Sequence, residues 1–325
     1  MSMATHGTGP MKKVVLLLLT LTFAPAVLGA CDTTPVTPTP VPTGTTAPPT
    51  VTIYTPPSAT PQVPTPTLIA EATPTNQIDP PLVDAGGHEL WIECQGTGSP
   101  TVILEAGLGV TSFTWSKVMP GASQLTRVCR YDRAWLGQSL PGPLPRNSQV
   151  IVDDLHALLA NAKIEPPYIL VGASFGGLCM QLYATQHPQE VAGMVLVDST
   201  HADLDDRIEA IITAAQVEER RTDLSLNQEK IGFKDLQESD NQVRAAGKWP
   251  DVPLVVLRHG IPFQFSDGWP AEKIEQIWVE LQTDLSKRTS NGKLVVAEKS
   301  GHRISETEPE LVVVAIQEVL EATRK

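Results

Sequence analysis

The sequence predicts an α/β fold, a doubly wound and mostly parallel sheet covered by helices on both faces, between Leu82 and Lys325. Two observations predict it. Short runs such as Tyr168-Ile169-Leu170-Val171 and Met194-Val195-Leu196-Val197 are apolar throughout, as strands buried on both faces must be. Stretches with helical spacing separate them, which is the alternation of a parallel sheet with crossover helices.

Taken in order, Leu82-Val83 and His88 to Cys94 read as paired strands across Gly86-Gly87. Thr101 to Leu104 and Thr126 to Tyr131 are the next two apolar runs. Asp153 to Ala162 has helical spacing, Tyr168 to Val171 is a buried strand, and Leu178 to Thr185 reads as a helix. Strands follow at Met194 to Val197 and Pro253 to Leu257. Ile274, Ile277, Leu281 and Leu285 share one helical face. Leu294 to Val296 is the last strand, and Pro309 opens a helix whose apolar face is Val312, Val313, Ile316, Val319 and Leu320. Residues 202–248 break the alternation. They are charged and helix-prone between two strands, and read as an inserted cap.

Ahead of this domain the composition changes twice. Lys12 and Lys13 precede an apolar run from Val14 to Phe23, and Leu28-Gly29-Ala30 leads into Cys31. Residues 1–30 therefore read as a secretory signal, and small residues before a cysteine resemble the bacterial lipobox, with Cys31 as the lipidated residue. Plain secretion and a retained membrane helix are the competing readings, although for the helix Val14 to Ala30 is at the short end of the spanning range and contains Pro25. Residues 31–81 are Thr- and Pro-rich, with 13 prolines and 15 threonines from Cys31 to Pro80. Proline blocks helix and sheet alike, so this segment is expected to be a disordered stalk, extended where its prolines dictate. The expected location is extracytoplasmic, anchored to the bacterial cell membrane through lipid on Cys31.

The whole chain has 24 basic and 36 acidic side chains, a net charge of −12. No basic surplus exists to neutralise a phosphate backbone, so nucleic-acid binding is excluded as a class. No zinc-ligand spacing, phosphate loop or dinucleotide fingerprint occurs, so no cofactor or metal is implied.

The sequence Gly172-Ala173-Ser174-Phe175-Gly176-Gly177 places G-x-S-x-G between a buried strand and a helix. A sharp turn at Ser174 pushes its hydroxyl out at the carboxyl end of the sheet. Together with Glu105-Ala106-Gly107-Leu108-Gly109, the stretch Tyr131 to Ser139, and Ser300-Gly301-His302 after the last strand, this motif resembles the α/β-hydrolases of the serine esterase/lipase type. The resemblance covers Leu82 to Lys325. It implies eight strands, a helical cap after the sixth, a small-molecule ester-like substrate and an acyl-enzyme intermediate.

It also implies roles. Ser174 is the expected nucleophile and His302, last in chain order, the general base. His201 and His259 also follow strands and could line the site. The acid has two candidates. Asp198 directly follows the sixth strand; Asp267 lies beyond the seventh, where the residue three past Gly260 is Phe263. Asp198 is favoured because it needs no loop rearrangement. The backbone amides of Leu108 and Phe175 are the expected oxyanion donors. Glu105 either braces that loop or is solvated, Asp132-Arg133 reads as structural, and Trp135 either narrows the pocket mouth or packs under the cap. Cys94 and Cys129 fall on strands that the resembled fold makes neighbours, so they are a disulfide or two buried thiols; Cys179 is expected to be packed. Peptidase, thioesterase, lactonase and C–C hydrolase chemistry would use the same residues, and a non-catalytic binding module is the rival from another class.

Overall fold

The computed structural model describes residues 82–324. The signal sequence, Cys31 and the Thr/Pro-rich segment lie outside the described residues. Eight strands form one sheet in the order β1-β2-β4-β3-β5-β6-β7-β8. They are β1 (Leu82–Asp84), β2 (Glu89–Gln95), β3 (Thr101–Glu105), β4 (Val128–Tyr131), β5 (Tyr168–Ala173), β6 (Val191–Val197), β7 (Leu254–His259) and β8 (Gly292–Ala297). β1 and β2 pair antiparallel, as do β2 and β4; every other pairing is parallel. Nine α-helices accompany them among the described residues: α1 (Met119–Ala122), α2 (Ser148–Asn161), α3 (Phe175–Gln186), α4 (Leu204–Glu209), α5 (Ala214–Ser225), α6 (Phe233–Ala245), α7 (Ala271–Leu285), α8 (Ile304–Thr307) and α9 (Pro309–Ala322).

Strand alternation splits the core in two. Ile103, Leu170, Met194, Leu196, Leu254 and Val256 face one side with α2 and α3. Val102, Leu104, Ile169, Val171, Val195, Val197, Val255 and Leu257 face the other with α1 and α9. β3, β5, β6 and β7 therefore each feed both cores, which is why these runs are apolar almost throughout. A third cluster joins α4 to α7 through Leu204, Ile208, Ile274, Ile277, Trp278 and Leu281.

Several elements start elsewhere than their apolar spacing indicates. α2 begins at Ser148 because the Asn147 side chain caps it, accepting from the Val150 amide at 3.2 Å. α3 begins at Phe175, taking Gly176 and Gly177 into its first turn. β4 begins at Val128 instead of Thr126, whose hydroxyl instead donates to the Pro100 carbonyl. α1 and α8, four residues each, are too short to leave a periodic signature. The segment 202–248 folds into α4, α5 and α6, with α5 opened by a Thr213–Gln216 capping box. Cys94 and Cys129 are directly opposed on β2 and β4 and form a disulfide; Cys179 is a buried free thiol.

Asp240 is buried on α6. Burial, with Asp205 and Asp206 adding repulsion, pushes its carboxyl up to about 9, against the pull of Arg244 and Arg220. Folded chains then hold a proton that unfolded chains release above about pH 4, so stability falls as pH rises through that window toward 9. Asp240→Asn is expected to raise Tm at pH 8 by about 4 °C and to flatten the Tm–pH slope above pH 5. A lower Tm at pH 8, followed by differential scanning calorimetry, would contradict the buried neutral carboxyl.

Candidate active site

β5, β6, β7 and β8 end side by side, and their carboxyl ends carry the candidate residues. Ala173 pairs with Val197, so Ser174 and Asp198 are the next residues on adjacent strands. Val197 pairs with Leu257, and His259 with Ala297, which brings the ends of β7 and β8 into the same row.

Ser174 occupies the bend between β5 and α3 with φ 51° and ψ −126°. A positive φ at a non-glycine residue is costly, by about 1–3 kcal/mol, and persists only where the surroundings enforce it. Here both sides of the bend are enforced. A Cβ on Gly172 would lie 2.6 Å from the Gly177 Cα, and one on Gly176 would lie 2.3 Å from the Ala106 carbonyl oxygen. The first contact lets the helix turn back onto its own strand. The second lets α3 press against the loop after β3. The Ser174 amide donates to Val197 O at 3.2 Å, and the Thr200 amide donates to Ser174 O at 3.0 Å, tying the bend to β6 and the residues after it.

That loop and the first turn of α3 supply the candidate oxyanion donors. Gly107 stands against Ser174, its Cβ direction 3.3 Å from the serine Cβ. The Leu108 amide and the Phe175 amide, the first of α3, donate to no protein atom among the described residues, although both residues are buried. Amides without protein partners beside a helix N-terminus suit negative charge.

Arg133 holds the loop in place. Its guanidinium donates to Ala106 O, Gly107 O, both Glu229 carboxylate oxygens and Glu105 Oε1. Glu229, between α5 and α6, also accepts from the Gly109 amide at 2.6 Å. Tyr131 donates to the other Glu105 oxygen. Glu105 is therefore a brace and not a solvated carboxylate, and burial raises its pKa even with Arg133 beside it. Asp132 is structural as expected, accepting from the Ser112 and Gln138 amides. Trp135 adopts φ 73°, donates to Gly142 O and packs under the Lys230 ammonium at 3.5 Å.

Asp198 is fully buried and is the carboxylate that reaches His302: His302 Nδ1 donates to Asp198 Oδ2 at 2.6 Å. Asp267 is exposed in the turn before α7 and makes no hydrogen bond to His302 among the described residues. Phe263 instead packs near the His302, His259 and Trp278 rings, with centroids 5.5, 4.6 and 5.0 Å away. Burial opposes ionisation of Asp198, but donation from His259 and His302 outweighs it and holds the carboxyl down at about 2. Ser174 Oγ and His302 Nε2 make no hydrogen bond among the described residues, and both residues are half-buried at this edge of the sheet.

Two neighbours of Asp198 carry no sequence motif. His259 Nδ1 approaches the same Oδ2 at 2.7 Å, the His259 amide donates to Oδ1 at 3.0 Å, and Trp278 Nε1 donates to Oδ1 at 2.9 Å. Glu275, on α7, lies 3.1 Å from His259 Nε2. His259 thus lines the site. His201 does not; its ring turns away to Asp284 on α7. Among the described residues one group, His156, His187 and Glu190, brings metal-ligand atoms within 4.8 Å of one another. His156 lies on α2 and the other two just before β6, and the two imidazoles stack 4.1 Å apart at 9°, so their in-plane lone pairs do not converge on one ion.

Residues 100–279 match the family model described as alpha/beta hydrolase fold. The uncharacterized protein YqjL of Bacillus subtilis is 29% identical over 231 residues, covering 69% of this chain and 85% of that protein. Among solved structures, a bromoperoxidase from Bacillus anthracis superposes with TM-score 0.53 at 15% identity, over 74% of this chain and 99% of its own. The carboxylesterase CesB of Bacillus subtilis gives 0.53 at 15%, over 74% and 90%. At such identities the two structures speak to the fold alone.

Proposed function

This chain belongs to the α/β-hydrolase family, and on that premise we propose that it is a serine hydrolase of carboxylic esters, held outside the cytoplasmic membrane by lipid on Cys31. The observation that carries the reading is the 2.6 Å bond between His302 Nδ1 and buried Asp198, made across 104 residues of sequence, with Asp198 at the end of the strand next to the one that ends at the strained serine.

Ser174 Oγ attacks the ester carbonyl while His302 Nε2 takes its proton. Asp198 fixes the tautomer, since its oxygen accepts the Nδ1 hydrogen and leaves Nε2 as the acceptor. Negative charge developing on the carbonyl oxygen meets the Leu108 and Phe175 amides, which have no protein partner to give up first. The alcohol leaves with the proton from His302, and water activated by the same ring releases the acid. Substrate closes the gap between hydroxyl and ring, as catalytic hydrogen bonds commonly tighten only when substrate is bound. The Cys94–Cys129 disulfide agrees with an oxidising, extracytoplasmic location.

A fluorophosphonate probe is expected to label the purified chain stoichiometrically, with the adduct mapped by mass spectrometry to Ser174 and absent from Ser174→Ala. Labelling undiminished in that variant would overturn the assignment. A panel of p-nitrophenyl esters, thioesters and lactones separates ester cleavage from the other acyl transfers open to the same groups.

A further inference from the structure

We propose that His259, kept cationic by Glu275, is a positioning residue for Asp198, and that the acidic limb of the activity profile is set by two imidazoles sharing one carboxylate. The proposal rests on the reading of Ser174, His302 and Asp198 as the reacting set.

The protonation states follow from counting donors. An ionised carboxylate only accepts hydrogen bonds. Asp198 Oδ2 lies 2.6 Å from His302 Nδ1 and 2.7 Å from His259 Nδ1, so both rings carry hydrogen at Nδ1. Its Oδ1 already accepts from the His259 amide and Trp278 Nε1. His259 Nε2 then faces Glu275 Oε2 at 3.1 Å. A neutral His259 would turn a nitrogen lone pair toward a carboxylate there. A second proton removes that repulsion and makes the ring an imidazolium with an anion at each end.

The surroundings suit that charge. His259 is fully buried, and a buried cation must be paired. Phe263 and Trp278 wall the ring, with centroids 4.6 and 5.7 Å away. Arg258, the other charged group beside it, donates to the His259 backbone carbonyl. Burial works against ring charge, yet the two carboxylates outweigh it and raise the His259 pKa.

The consequence falls on His302. Asp198 stabilises a protonated His302 ring, and that stabilisation is weaker when a second cation already rests on the same oxygen. His259 also fixes the carboxylate at both of its oxygens, which holds Oδ2 in line with His302.

Glu275→Gln is the clean probe. The amide can donate to Nε2 of a neutral His259, so the packing and the bond to Asp198 persist while the ring loses its charge. His259→Asn removes the ring but keeps a donor near Asp198. In the full chain, the pH dependence of fluorophosphonate labelling at Ser174 and of p-nitrophenyl ester hydrolysis is measured for both variants. The midpoint of the acidic limb is expected to move upward by about half a unit in Glu275→Gln and about one unit in His259→Asn. A purely structural role predicts a uniform rate loss with the midpoint unchanged, and that result in folded variants overturns the proposal. Should the variants fail to fold, nitrogen-15 spectra of the wild-type histidines decide it: both His259 ring nitrogens protonated at pH 7 supports the proposal, and a neutral ring overturns it. Absence of labelling in the wild type would instead sink the reading of Ser174, while the nitrogen spectra still report on His259.

Discussion

Asp198→Asn is expected to lower kcat about 10⁴-fold while leaving the fold in place. Two donors converge on Oδ2 of this side chain, and two more on Oδ1. An amide offers one acceptor oxygen and sets an NH₂ group where the other oxygen stood. One imidazole must then lose its acceptor or change tautomer, and a His302 hydrogen-bonded through the wrong nitrogen cannot take the serine proton. The backbone tolerates the change, since residue 198 has φ 45°, a left-handed conformation that asparagine adopts more readily than most residues. Circular dichroism and a urea titration check folding, and separate kcat and KM values locate the loss in the chemical step. Asp267→Asn, in an exposed turn, is expected to change kcat by less than about twofold, as surface substitutions away from a site do. A kcat above a tenth of wild type in Asp198→Asn, or a large loss in Asp267→Asn, would reverse the assignment of the acid.

The fold was legible because its strands are buried on both faces. Residues such as Ile169-Leu170-Val171 serve two cores at once, so no polar residue could interrupt them. The elbow was legible because only glycine fits where Gly172 meets Gly177 and Gly176 meets Ala106. The carboxylate that meets His302 was legible in part. Phe263 at the usual position showed where a carboxylate was missing, and Asp198 ended the neighbouring strand. Its second imidazole partner was only a possibility, because a histidine at a strand end carries no sign of which way its ring turns. His201 and His259 are alike in sequence context, yet one faces Asp284 and the other Asp198. Glu229 was invisible. It lies 120 residues from Gly109 and 96 from Arg133, in a charged segment where any acid reads as solvated. Only the packing of the inserted helices against the loop after β3 turns it inward.

Arg133→Leu tests that packing and carries the largest expected effect on stability. The guanidinium bridges buried Glu105 and buried Glu229, and it also satisfies the Ala106 and Gly107 carbonyls. Burial and the two carboxylates compete over its charge, and the carboxylates win, holding the group firmly protonated. Leucine fills similar volume but strands two carboxylates and two carbonyl oxygens, so unfolding free energy is expected to fall by about 3–5 kcal/mol. The loss should be read from the urea midpoint at unchanged m-value. Arg133→Lys restores charge without the planar fork that serves several acceptors at once, and should recover only part of the stability. Catalysis must follow the same order if the loop seats the Leu108 amide. Freeing Gly107 and Gly109 from their anchors displaces a donor whose removal typically costs about 10²–10³ in kcat. An Arg133→Leu chain that folds and keeps wild-type kcat would mean that Glu229 and the Gly107 backbone hold their places without the arginine, and that the inserted helices do not position the loop beside Ser174.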